Sequence, residues 1–147
     1  HVGNEVRMSA YVEKLPRTED RVGLDTSQTD DRGNPVPDVS LGFGSHARET
    51  MARAVEIMRD VLNEMGADIT IEFGPDSPAV AAHHMGTTRM GTSPGRSVVD
   101  RHLRTHDLDN LWLVSSSVFV TGGAMNPTLT IAALALRAAQ CIASHLS

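Results

Sequence analysis

Residues 110–137 read Asn110-Leu111-Trp112-Leu113-Val114-Ser115-Ser116-Ser117-Val118-Phe119-Val120-Thr121-Gly122-Gly123-Ala124-Met125-Asn126-Pro127-Thr128-Leu129-Thr130-Ile131-Ala132-Ala133-Leu134-Ala135-Leu136-Arg137. Leu111 to Val114 is an unbroken apolar run, the pattern of a strand buried on both faces. A Gly-rich loop, Thr121 to Asn126, follows, and Thr128 to His145 reads as a helix. Asn126 suits its N-cap and Pro127 its first turn, where a missing N–H costs nothing. This helix is apolar nearly all round, so it requires cover on several sides. The chain offers few partners for such a strand and helix. The C-terminal portion is therefore expected to pack against something beyond these residues.

Upstream, Ser45 to Met65 predicts a second helix. Met51, Val55, Met58, Leu62 and Met65 fall at spacings of four and three and make one stripe, read as core packing. Ser45 is the expected N-cap and Gly66 the expected C′ residue. Ile69, Ile71 and Phe73 alternate with Thr70 and Glu72, predicting a strand over Ala67 to Phe73. Arg7 to Leu15 and Arg21 to Asp25 are further strand candidates, and Val36 to Phe43 is read as extended. Thr26 to Pro37 carries turn chemistry in Gly33, Asn34, Pro35 and Pro37. Val98 to Asp100 is short and extended. The order of elements predicts an α+β fold rather than regular βαβ alternation.

Composition narrows the function. The chain has 147 residues, 40% hydrophobic and 21% charged, which suits a folded core. A net charge of −5 with three Phe, one Tyr and one Trp removes the basic field and stacking surfaces that nucleic-acid binding needs. One cysteine, Cys141, excludes an internal disulfide and any Cys-rich zinc module. Cys141 itself is read as a small buried hydrophobe. Leu129 to Ile142 holds Arg137 and Gln140 and falls short of the roughly 20 apolar residues of a membrane span, so none is expected. Arg7, Glu13 and Lys14 interrupt any signal-peptide pattern. The chain starts at His1, which leaves targeting open, with a cytoplasmic location as the default expectation.

Three places could carry chemistry. The first is His83-His84-Met85-Gly86-Thr87. Histidine has an unperturbed pKa of about 6.5 and can exchange protons near neutrality, and the glycine lets a backbone or cofactor come close. The second is Gly122 to Thr128, where a helix N-terminus presents N–H groups suited to an anion or a carbonyl oxygen. The third, His102 and His106 with Asp100 and Asp107 nearby, has metal-like spacing, but the stretch lacks an apolar face and reads as a charged loop. No G-x-G-x-x-G turn or P-loop is present, so the chain has no dinucleotide pyrophosphate site of its own.

Together these segments resemble a known family. His83-His84-Met85-Gly86-Thr87-Thr88-Arg89-Met90-Gly91, Ser97-Val98-Val99-Asp100, and the run from Asn110 to Arg137 quoted above are similar, in order, to the C-terminal region of the glucose–methanol–choline (GMC) oxidoreductases. Arg21-Val22-Gly23-Leu24-Asp25 and Asp31-Arg32-Gly33-Asn34-Pro35-Val36-Pro37 extend the likeness over nearly the whole chain. Two positions depart from it. Ser115-Ser116 stands where many relatives have Asp-Gly, and Val120 where many have Pro.

The resemblance implies an FAD enzyme that oxidises an alcohol. Its register matches His83, not His84, to the histidine beside the flavin, acting as general base, and Asn126 to the partner that orients the hydroxyl. It implies that Ser115, Ser116, Asn126, Pro127 and Thr128 contact FAD, the serines through backbone N–H groups. Residues 1–109 would be an antiparallel-sheet substrate-binding part with helices. Residues 110–147 would supply the last strand and helix of the FAD-binding domain, whose N-terminal part is the expected partner. The alternative is a non-catalytic cap or interaction module that retains the pattern.

Overall fold

The computed structural model describes residues 5–69, 71–78 and 82–146. The chain divides into two units, one of residues 1–15 and 43–82 and the other of residues 16–42 and 83–147. The fold is α+β, with a small antiparallel sheet and two long helices.

In the first unit, α1 spans Ser45–Glu64. It starts at Ser45 as the sequence suggested, but the N-cap is Gly44, which makes no side-chain capping bond, and Ser45 is already helical. The end matches, with Gly66 at φ 70, the left-handed geometry that glycine adopts without a Cβ penalty. The apolar stripe is only partly covered. Met51, Val55, Met58 and Leu62 are half-buried, Met65 is exposed, and Ala47 is the one buried residue of the helix. Two arginines of α1 reach the segment beyond it. Arg59 makes a two-pronged bond to Glu72, at 3.0 and 2.7 Å, and Arg48 meets Asp76 at 3.0 Å. The Arg59 guanidinium holds the Glu72 carboxyl below its ordinary range, chiefly through that hydrogen bond.

Two expected strands of this unit do not form. Arg7–Leu15 has no strand pairing. Neither have Ala67–Ile69 and Ile71–Phe73, with Thr70 outside the described residues. A strand needs a ladder partner, and the described residues provide none, so Phe73 stays 69% exposed despite its alternating pattern.

In the second unit, β1 (Arg21–Thr29) pairs antiparallel with β2 (Pro35–Ser40). The expected turn over Thr26 to Pro37 is shorter than that stretch, since Thr26–Thr29 and Pro35–Pro37 belong to the strands. Asp30 organises the reversal. Its Oδ1 accepts from the N–H groups of Arg32 (2.9 Å) and Asn34 (2.8 Å), and Gly33 takes φ 82. These bonds depress the Asp30 carboxyl, that from the Asn34 backbone most. The register shifts between Asp25 and Thr29. There the Asp25 carboxylate accepts from the N–H (2.8 Å) and hydroxyl (2.6 Å) of Ser27 and stabilises the irregularity. Prolines are tolerated in β2 because a two-stranded sheet has only edges.

The last helix, α2, spans Thr128–Leu146. The helix starts at Thr128 as expected, but the Pro127 carbonyl accepts its first backbone bond, from Ile131 at 3.0 Å, so Pro127 rather than Asn126 takes the cap position. The expected strand Leu111–Val114 is replaced by a single bridge, Arg104 to Trp112. Leu111 and Val114 are exposed instead of buried, because no strand among the described residues covers them. The core of the unit is Val99, Leu103, Val118, Phe119 and Ala138, with Met85, Met90, Leu113, Ile131 and Leu134 packed against it. It therefore gathers the histidine loop, the Val99 segment, the Ser116–Val118 turn and one face of α2. Ala138 is the buried residue of α2, whereas Leu129 is 83% exposed and Leu136 72%. The helix is long and apolar enough to cross a membrane by length and composition. Its Arg137 guanidinium, however, is committed to the carbonyl of Arg101 in the same unit.

Candidate active site

The histidine loop is held by backbone pairing. The N–H groups of Gly86, Thr88 and Met90 donate to the carbonyls of Ser116 (3.2 Å), Ser117 (2.9 Å) and Val118 (2.8 Å). The carbonyls come from one 3-10 turn, Ser116–Val118, whose Val118 is fully buried. Side chains add to this ladder. The Ser116 hydroxyl donates to the His84 carbonyl at 2.7 Å, and Thr88 Oγ1 donates to Ser117 Oγ at 2.6 Å. Gly86 is required by its geometry. Its φ is +84, and an added Cβ would lie 3.3 Å from the Phe119 carbonyl oxygen.

The Gly-rich loop approaches from the other side. A Cβ on Gly122 would lie 2.2 Å from Met85 Sδ, so the methionine lies directly against this glycine. Met85 is two residues beyond His83, and Gly122 four before Asn126. Sequence pointed to both loops separately; their contact through Met85 and Gly122 is a finding of the fold. His83 is half-buried, while His84 and Asn126 are exposed.

The residues that the resemblance assigns to FAD fall at two places, the start of the serine turn and the start of α2. Ser115 accepts from the Ser117 N–H at 3.1 Å and shares a 2.6 Å hydroxyl contact with Ser117 Oγ. The ladder uses carbonyls of the turn and does not use the N–H groups of Ser115 and Ser116. Pro127 is half-buried and Thr128 exposed at the start of α2. The first N–H groups of any helix lack an intrahelical acceptor. At α2 they belong to exposed residues, Thr128, Leu129 and Thr130. Such donors suit the carbonyl edge of a flavin ring, and the residues present fit the group at this end.

Two further histidines have partners of their own. His106 Nε2 lies 2.9 Å from Ser97 Oγ. His102 Nε2 accepts from Arg101 Nε at 3.0 Å, which leaves Nδ1 to donate to Cys141 Sγ, 3.4 Å away. Cys141 is thus half-exposed and polar in its contacts rather than a buried hydrophobe. It lines an open cleft of about 440 Å³ with His102, Trp112 and His145, the last two meeting edge to face at 5.4 Å. Among the described residues no group of three or more His, Cys, Asp or Glu side chains could hold a metal ion.

A histidine loop is thus clamped to a serine turn, beside a Gly-rich loop that opens an apolar helix. The family model for GMC oxidoreductases matches residues 16–135, and the chain belongs to that family as its C-terminal region. It is 37% identical over 144 residues to the fructose dehydrogenase large subunit of Gluconobacter japonicus, covering 96% of this chain and 26% of that protein. It is 34% identical over 147 residues to 2-methyl-1,2-propanediol dehydrogenase of Mycolicibacterium austroafricanum, covering 100% of this chain and 27% of the relative. The solved structure of pyridoxine 4-oxidase from Mesorbium loti aligns with a TM-score of 0.60 and 26% identity, over 84% of this chain and 27% of that one. The chain thus spans about a quarter of the length of these relatives.

Proposed function

We propose that this chain is the C-terminal part of an FAD-dependent alcohol oxidoreductase, with His83 as general base and Asn126 as the group that orients the substrate hydroxyl. The observation that carries the reading is the Met85–Gly122 contact, which brings the histidine loop and the Gly-rich loop together over one small core. Bound FAD supplies the hydride-accepting chemistry that oxidation of a CH–OH group requires. His83 takes the hydroxyl proton as the C–O bond becomes a carbonyl. The Asn126 carboxamide donates to the substrate oxygen and fixes which hydrogen on carbon is presented for transfer. The start of α2, with Pro127 and Thr128, would face the flavin, and its free N–H groups would stabilise negative charge on the bound cofactor. The backbone N–H groups of Ser115 and Ser116 would help to hold the cofactor chain.

Residues 1–109 form most of the substrate-binding part, and residues 110–147 complete the FAD-binding domain contributed by the N-terminal part of the protein. The exposed leucines of α2 support that completion, since an apolar helix left in water forfeits about 25 cal/mol per Å² of apolar surface. The substrate is a small-molecule alcohol or sugar hydroxyl, in line with the names of the relatives.

Reassembly tests the reading. The chain mixed with the N-terminal part, FAD and an electron acceptor is expected to show alcohol-dependent acceptor reduction, which neither part shows alone. A chain that by itself binds FAD stoichiometrically at submicromolar concentration would contradict the proposed division. Reassembly that yields a flavin complex without turnover would favour a non-catalytic module.

A further inference from the structure

We infer that Ser116 is a positioning residue for the proposed base, an inference that rests on the reading of His83. Ser116 grips the histidine loop twice. Its hydroxyl donates to the His84 carbonyl at 2.7 Å, and its own carbonyl accepts from the Gly86 N–H at 3.2 Å. These bonds fix two consecutive peptide planes, on either side of Met85, beginning one residue after His83. The grip is anchored from below. Val118 and Phe119 are buried in the core, and the Phe119 N–H donates to the Ser116 carbonyl at 3.1 Å. Neighbouring hydroxyls reinforce the turn without replacing the grip: Ser115 Oγ meets Ser117 Oγ, and Thr88 Oγ1 donates to Ser117 Oγ, both at 2.6 Å.

The side chain thus has a task separate from the backbone contact to FAD assigned to this residue by resemblance. It faces the histidine loop, and its hydroxyl is what alanine lacks. Without it the His84 carbonyl is free to turn to water. The backbone one residue beyond His83 then samples orientations that the ladder alone does not exclude. A hydroxyl is needed at this position, and threonine supplies one.

The test uses the full-length flavoenzyme. Ser116→Ala is expected to slow alcohol-dependent flavin reduction by about ten- to a hundredfold, the cost of misplacing a reacting group by up to an ångström. Flavin content and KM should stay near wild type. Amide exchange at Met85 and Gly86 should speed up, with Leu103 and Phe119 still protected, and Ser116→Thr should recover most of the rate. A wild-type rate for Ser116→Ala, with His83→Ala inactive, overturns the positioning role and leaves the base intact. Loss of flavin with an unchanged rate per bound flavin also overturns it, making Ser116 a cofactor contact only. A wild-type rate for His83→Ala would instead remove the reading on which the inference stands.

Discussion

Replacing Gly122 with alanine tests the junction between the two loops. The new Cβ would sit 2.2 Å from Met85 Sδ and 3.1 Å from its Cε. Non-bonded heavy atoms settle at about 3.5–4.0 Å, so the sulfur must retreat by about 1.5 Å. Methionine is flexible, and rotation of its side chain relieves part of the clash, so the stability cost should lie at the low end of overpacking, about 1 kcal/mol. The functional cost should be larger. Met85 is the spacer between His83 and the loop that carries Asn126, and an ångström of misplacement at a reacting group costs about a hundredfold in rate. The assay is flavin bleaching by saturating alcohol in the full-length protein, beside urea unfolding of the same variant. The double variant Gly122→Ala/Met85→Ala removes the clash and should recover part of the rate. Wild-type bleaching for Gly122→Ala, or a double variant no faster than the single, would refute the spacer argument.

Further outcomes follow from other parts of the fold. Leu103 is fully buried, and Leu103→Ala should cost about 2–5 kcal/mol in chemical unfolding, a value that would fall below 1 if the core around Val99 and Val118 were loosely packed. The Asp30 carboxyl is depressed in the folded hairpin, so its contribution is present above the unfolded pKa of about 4 and fades as pH falls through the lower folded value. Amide exchange at Arg32 and Asn34 should therefore quicken under acid relative to that expected from intrinsic rates, and Asp30→Ala should abolish that pH dependence. Leu136→Asp leaves the isolated chain as helical as before, because the side chain is already exposed, yet should block recovery of soluble flavoprotein at full length. Normal flavoprotein yield from this variant would show that α2 is not covered there.

Both helices were legible in sequence because their signals are local. A 3.6-residue stripe, Gly66 after the last turn, and Pro127 before α2 act within a few residues. Both helices start at the residues the pattern indicates, but the caps differ by one residue, because the Gly44 and Pro127 backbones, not the Ser45 and Asn126 side chains, close the first turns. Strands depend on distant partners. Ile69, Ile71 and Phe73 carry the period of a half-buried strand, and Leu111 to Val114 the composition of a buried one, yet the described residues offer neither a ladder. Pattern alone records the environment a segment is suited to, not whether this stretch of chain supplies it. The hairpin lay between these cases: Asp30, Gly33 and Asn34 marked the reversal, but the Asp25–Ser27 irregularity inside β1 had no signal beyond a carboxylate two residues before a serine.

The site was legible as two motifs and illegible as one place. Nothing local in His83-His84 or in Gly122-Gly123 indicates that Met85 lies on Gly122. Nor does the sequence show that the Ser116 hydroxyl holds the His84 carbonyl. The substitution of Ser115-Ser116 for the Asp-Gly of many relatives was the available hint, and the structure gives the second serine a use on the histidine loop.

The central claim is that His83, and not its neighbour, takes the substrate proton. Single-turnover reduction of the bound flavin by alcohol in the full-length enzyme tests it most directly. His83→Ala should retain its flavin and bleach at least a hundredfold more slowly, the usual size of a general-base contribution, while His84→Ala bleaches at nearly the parent rate. Equal rates in the His83→Ala and parent proteins, or the loss falling on His84→Ala instead, would contradict the account.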